Sequence, residues 1–194
     1  MNEIAQFAPG LDRIEAGSLY PHQADGVAYL LSKKRVILAD DMGLGKTRQA
    51  IVAMEAGAPD GKVLVVCPAS LKLNWKREIQ MVDASAEDEV LGVDKEAYCD
   101  PRWVIVNYDI LRKHAERLHA VEWSGVILDE GHFIKNASQR TNQCLKLLGV
   151  QADAHAPVIG PEFVFLLTGT PMTNRPKDLF NLLRCVGHPS ARSF

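Results

Sequence analysis

Short runs that are apolar at every position alternate along this chain with longer stretches in which apolar residues recur every third or fourth place. The unbroken runs at 36–39, 63–67, 103–106, 126–128 and 163–167 predict strands, and a short edge strand is predicted over 89–93. Between them, helical spacing appears over 21–32, 46–55, 71–81, 110–118, 139–148 and 177–185. The first helix shows the pattern best: Pro21 suits an opening turn, and Ala24, Val27, Ala28 and Leu31 then line one face. Gly187 and Pro189 stop the last. Strands apolar throughout need both faces covered, so this order predicts an α/β fold: a three-layer sandwich with a mostly parallel central sheet and helices on both faces. Residues 1–18 read as an N-terminal extension and 149–162 as a surface loop, which leaves a single domain over 1–194.

Composition narrows the classes of function. A net charge of −2 excludes a uniformly basic nucleic-acid coat but leaves room for a local basic track. Cys67, Cys99, Cys144 and Cys185 are too far apart in sequence to make metal-ligand pairs, and Cys67 falls inside an apolar run. That usage suits a reducing cytoplasm; no leader pattern opens the chain and no apolar run is long enough to cross a membrane.

Chemistry enters at the ends of two strands. After 36–39 comes Asp40-Asp41-Met42-Gly43-Leu44-Gly45-Lys46-Thr47, a glycine-containing turn that runs into a helix. Such a turn aims backbone N–H groups at a phosphate, and the helix presents its positive end to the same point. Lys46 then reaches the β- and γ-phosphates and the Thr47 hydroxyl takes a place on Mg²⁺. Asp40 stands where the usual pattern has glycine, but Gly43 and Gly45 still permit close backbone approach. The second strand end is Val126-Ile127-Leu128-Asp129-Glu130, whose adjacent acids repel unless a cation compensates them. With a triphosphate present, Asp129 holds Mg²⁺ and Glu130 orients and deprotonates the attacking water. ATP and Mg²⁺ are therefore the expected ligands, with Lys46 and Asp129 converging on them.

Asp129-Glu130-Gly131-His132 resembles the DEAH box of superfamily two helicase-related ATPases. More narrowly, the chain resembles Swi/Snf-type DNA translocases, particularly the annealing-helicase-like branch and its bacterial relatives. The matching blocks are 19–27, 39–47, 67–75, 129–136 and 167–176, in family order and across nearly the whole chain. The resemblance implies a RecA-like P-loop lobe whose turn begins with acids. It implies that Gln23 reads the adenine edge, that residues 40–47 bind ATP, and that His132 links the ATP site to Thr168 and Thr170. Gly131 departs from the more usual alanine. The same resemblance suggests DNA-backbone contacts from Ser70, Lys72, Lys76, Arg77, Asn107 and Tyr108. Lys135, Arg140, Arg175 and Lys177 read instead as solvated surface cations, and Trp75 as a packing residue.

By that likeness the protein is an ATP hydrolase that moves on or remodels double-stranded DNA, in a bacterial or phage-like cytoplasm. No second-lobe motif follows residue 176, so hydrolysis and DNA grip are expected to be poor without a second RecA-like lobe, in cis or in trans. A non-enzymatic module that binds nucleotide or a partner is the alternative. An unrelated P-loop enzyme, such as a small-molecule kinase, fits the five blocks less well.

Overall fold

The computed structural model describes residues 19–94, 100–134, 136, 138–150, 160–171 and 177–192. The N-terminal extension, Cys99, Lys135, Arg175 and most of the loop after Gly149 lie outside them. Six strands form one parallel sheet in the order β1 (Arg35–Leu38), β6 (Phe163–Leu167), β5 (Gly125–Leu128), β2 (Val63–Cys67), β4 (Trp103–Asn107) and β3 (Asp88–Val90). Among the described residues six α-helices accompany them: α1 (Pro21–Lys33), α2 (Lys46–Gly57), α3 (Lys72–Val82), α4 (Ala115–His119), α5 (Gln139–Leu147) and α6 (Lys177–Cys185).

Period-two alternation divides the sheet between two cores. Val63, Val65, Ile105, Ile127, Phe165 and Leu167 pack with the buried faces of α1, α2 and α3. Their neighbours Leu64, Val66, Val104, Val126, Leu128 and Leu166 pack with α5 and α6 on the other side. The central strands β2, β4, β5 and β6 are buried at every position, which is why they read as unbroken apolar runs. Cys67, Cys144 and Cys185 are buried core residues, and burial pushes the Cys67 and Cys185 thiols up to about 12.

Two elements differ from the pattern's expectation. The edge strand ends at Val90 rather than 93, because Gly92 at φ +77° and the Asp94 carboxylate on the Val90 amide (2.7 Å) turn the chain. The helix expected over 110–118 is broken into a 3₁₀ turn, Tyr108–Ile110, and the short α4. Leu111 and Leu118 anchor its two ends in the core, but the polar run between them offers no apolar face to hold a continuous helix.

At the start of β1, the Arg35 guanidinium donates to the carbonyls of Pro161 (2.6 Å), Leu148 (3.2 Å) and Cys185 (3.3 Å). It thereby sets a cation against the negative ends of α5 and α6. Burial lowers its pKa from the ordinary arginine value.

Candidate nucleotide site

The site sits on the edge of the sheet where strand C-termini emerge. Leu38 of β1 is level with Leu167 of β6, and Leu166 of β6 with Leu128 of β5. Beyond them the ladder continues through Thr168 N–H to the Leu38 carbonyl (3.1 Å) and Asp129 N–H to the Val66 carbonyl (2.8 Å). The segments starting at Ala39, Asp129 and Thr168 therefore leave from one edge. Because β6 lies between β1 and β5, the lysine-bearing turn and the acid pair straddle Thr168, roughly 10 Å apart at the strand ends. Lys46 acts electrostatically on Asp129 and favours its charged form.

The turn owes its shape to two glycines in the left-handed region, Gly43 (φ +86°) and Gly45 (φ +73°), the second of which caps α2. A Cβ at Gly43 would meet open space, whereas at Gly45 it would fall 2.2 Å from Gln23 Nε2. Only glycine suits that close approach. Lys46 Nζ donates to the carbonyls of Asp40 (2.7 Å) and Asp41 (2.9 Å), so its charge is held over the turn. Thr47, the second residue of α2, is partly exposed beside it. Beneath, Gln49 Nε2 donates to the Leu44 carbonyl (3.0 Å), with Gln23 Nε2 longer at 3.4 Å; the Gln23 carbonyl oxygen accepts from the Tyr20 amide (3.1 Å). Gln23 is thus buried, tying the start of α1 to the turn. Met42 and Leu44 remain exposed, and Gly169 lies against Met42, where a Cβ would be 2.9 Å from its Cγ.

Asp129 is only 8% exposed. Its Oδ2 accepts from Trp75 Nε1 (2.8 Å), its Oδ1 from the Glu130 amide (2.9 Å), and its carbonyl from the Tyr108 hydroxyl (2.7 Å). Burial raises its pKa above the usual aspartate value; the Trp75 bond opposes that rise and neighbouring Glu130 adds to it. Glu130 has φ +53°, a left-handed conformation costly for a side-chain-bearing residue. That backbone turns its carboxylate to 3.0 Å from His132 Nδ1. His132 in turn lies against Phe133 (4.6 Å between ring centroids), and Phe133 stacks on Tyr108 (5.4 Å). Thr168 is buried and its hydroxyl accepts from the Thr170 amide (3.1 Å). Gly131 has a packing reason: a methyl there would fall 2.4 Å from Leu166 Cδ2 in the second core.

The six residues with which sequence reading lined a DNA track divide by exposure. Ser70 and Arg77 are exposed. Lys76 is partly exposed and paired with Asp88 (2.7 Å) and Asp94 (3.6 Å). Lys72, Asn107 and Tyr108 are buried, with the Lys72 ammonium on the Leu91 carbonyl (2.9 Å). Arg140 pairs with Asp109 at the surface. Trp75 is buried, as a packing residue should be, but its indole hydrogen bond to Asp129 escaped sequence reading. A tryptophan beside a motif carries no sign of its acceptor.

Comparison with known proteins fits this geometry. The SNF2-related domain matches residues 22–194. A curated nematode protein from Caenorhabditis elegans, named as a homologue of SWI/SNF-related matrix-associated actin-dependent regulator of chromatin subfamily A-like protein 1, is 31% identical over 91% of this chain. The chicken DNA repair and recombination protein RAD54B (Gallus gallus) is 30% identical over 91%. The chain spans 25% of the first and 21% of the second. Among solved structures, the Sulfolobus solfataricus SWI2/SNF2 ATPase core in complex with dsDNA superposes with a TM-score of 0.74 at 27% identity, covering 93% of this chain and 39% of that one. These relatives correct the expected bacterial or phage-like cytoplasmic setting, since the curated proteins are eukaryotic and named for chromatin and for DNA repair. No helix among the described residues is long and apolar enough to cross a membrane. Sequence match, RecA-like α/β fold and site geometry agree: this chain belongs to the SNF2-related domain family.

Proposed function

We propose that this chain is the ATP-binding lobe of a DNA-dependent ATPase that moves along or remodels double-stranded DNA. The observation that carries the reading is the convergence of the Gly43–Gly45 turn, Lys46 and Asp129 on one sheet edge, with Thr168 between them. The site fits a magnesium triphosphate on its own geometry. Two left-handed glycines and the N-terminus of α2 direct backbone N–H groups at one point, and the Lys46 ammonium already rests on carbonyls of the same turn. Thr47 and Asp129 would hold Mg²⁺, which when bound neutralises charge on the β- and γ-phosphates. Lys46 then leaves the Asp40 and Asp41 carbonyls for the phosphates. Glu130 orients the attacking water and takes its proton. His132, 3.0 Å from the Glu130 carboxylate, fixes where that base points; the family resemblance would have it also link the site to Thr168 and Thr170. Gln23, beside the turn, would read the adenine edge by exchanging its bonds to the Tyr20 amide and the Leu44 carbonyl for the base.

Duplex DNA would run across the exposed start of α3. Ser70 and Arg77 meet its phosphates there, while buried Lys72, Asn107 and Tyr108 hold the shape of the surface behind them. Contacts of this kind position a duplex without reading its sequence.

Titration calorimetry tests the nucleotide site directly. Mg-ATP and Mg-ADP should bind the wild-type chain, and Lys46→Ala should remove that binding; equal affinities would sink the assignment. Turnover tests the division of labour. A second RecA-like lobe supplies arginines to the γ-phosphate, a contribution worth about 10³–10⁵ in rate. The 194-residue chain should therefore hydrolyse ATP barely and ignore duplex DNA until a separately expressed second lobe is added. Robust DNA-stimulated turnover by the pure chain would contradict this.

A further inference from the structure

Three donors from three segments close on one aspartate. Trp75 comes from α3, Tyr108 from the 3₁₀ turn after β4, and the Glu130 amide from the next residue of the same loop. Trp75 is 1% exposed and Tyr108 3%, so neither donor can exchange its bond for one to water. A buried indole requires only some acceptor, and a backbone carbonyl suffices: Trp123 Nε1 donates to the Leu118 carbonyl at 2.8 Å. Trp75 instead spends its N–H on a carboxylate at the end of β5. Each Asp129 oxygen thus accepts one protein hydrogen bond and keeps lone-pair capacity for a second partner. With both oxygens held from behind, the carboxylate plane is fixed against rotation.

We propose that Trp75 is a positioning residue for the metal-binding carboxylate, its indole N–H setting the orientation in which Asp129 meets Mg²⁺, with the Tyr108 hydroxyl anchoring the same residue through its carbonyl. The inference rests on the nucleotide reading above and deepens it. Partners that orient a ligating carboxylate commonly contribute tenfold or more to metal affinity, even though they never touch the ion. Because Trp75 belongs to the helix that follows exposed Ser70 and carries exposed Arg77, a shift of α3 would be felt at Asp129 without passing through the phosphate turn.

The test is Mg²⁺ titration of the ADP complex, followed by calorimetry, with ADP binding in EDTA measured alongside. Trp75→Phe keeps most of the ring volume and removes the donor. It should lower Mg²⁺ affinity about 10- to 100-fold and leave ADP affinity in EDTA unchanged. Trp103→Phe removes a comparable indole bond, to Glu55 at 3.1 Å, at the opposite edge of the sheet, and should leave Mg²⁺ affinity at the wild-type value. Wild-type Mg²⁺ affinity in Trp75→Phe overturns the inference while the nucleotide site stands. A wild-type chain that binds ADP with no Mg²⁺ dependence overturns the metal reading beneath it. A second measurement needs no folded variant: in the wild-type ADP complex, the indole ¹⁵N–¹H resonance of Trp75 should move on addition of Mg²⁺ while those of Trp103 and Trp123 stay in place. A stationary Trp75 resonance overturns the proposal.

Discussion

Glu130 holds a backbone conformation that its own side chain disfavours, and the cost can be measured. At φ +53° its Cβ crowds the neighbouring carbonyl, a strain of about 1–2 kcal/mol for an L-residue. The conformation persists because both sides of it are pinned. The Glu130 amide donates to Asp129 Oδ1, the Tyr108 hydroxyl holds the Asp129 carbonyl, and the Phe133 amide donates to the Glu130 carbonyl at 3.0 Å. Glu130→Ala and Glu130→Gly remove the same carboxylate, the same contact to His132 and the same repulsion on Asp129. Their difference isolates the backbone. At an ordinary helix or strand position glycine would be less stable than alanine by about 0.5–1 kcal/mol. Here the sign should reverse, with Glu130→Gly more stable than Glu130→Ala by about 1 kcal/mol. For a chain of this size that corresponds to a Tm higher by roughly 2–4 °C. Urea unfolding of the two variants, followed by far-UV circular dichroism, reads the difference as a shift in midpoint at constant slope. An alanine variant equal to or more stable than the glycine variant would refute the strain argument. It would also remove the reason for regarding the aim of Glu130 as something the fold sustains against a local preference.

Two further outcomes follow from groups that carry charge out of water. Burial raises the Asp129 pKa above its unfolded value, so folding takes up a proton between the two values and stability falls as pH rises through that window. Asp129→Asn cannot titrate, and its amide can accept from only one of the Trp75 and Glu130 donors, so denaturation across a pH series should show wild-type stability declining through the carboxylate range and the variant lacking that decline; the same pH profile in both would contradict the assignment. Arg35→Met should cost about 2 kcal/mol in urea unfolding, because it strips the cation from the ends of α5 and α6 and leaves buried carbonyls under-satisfied. Arg35→Lys should recover only part of that, since one ammonium cannot reach all three acceptors.

Much of this architecture could be read before any coordinates, because the signals were of a kind that depends on local sequence. β2 and β6 fall on the residues their apolar runs mark, since both are covered on two faces and have no reason to alternate. The turn after β1 was legible because glycine is the residue that left-handed positions favour, and Gly43 and Gly45 both occupy such positions. What sequence could not supply was strand order. Nothing in 163–167 says that it inserts between β1 and β5, yet that insertion sets Thr168 between the lysine and the acids. Side-chain direction was hidden in a different way. Lys72 shares a helical face with Trp75 and Ile79, so the spacing that buries those two buries the lysine as well, and its basic identity masked the pattern. The glycine at 131 reads as a loss of definition in a motif; in the fold it makes room for Leu166, so the rest of the core explains a residue that the motif does not.

The same logic explains why the donors on Asp129 went unseen. Motif residues announce the chemistry they perform, whereas Trp75 and Tyr108 act through a single hydrogen bond each, on an acceptor 54 and 21 residues away in sequence. A buried donor must find an acceptor, but which one is decided by sheet register. Cys67 is level with Asn107, and Val66 with Leu128, so the segments leaving β2 and β4 both emerge beside the start of the Asp129 loop. α3 and the Tyr108 turn are thereby delivered to one carboxylate. Lengthening β4 by one residue would turn Tyr108, which follows it directly, toward the opposite face of the sheet and take that donor away. The hydrogen bonding around Asp129 is therefore specified by the register of β2 and β4 as firmly as by the acids themselves.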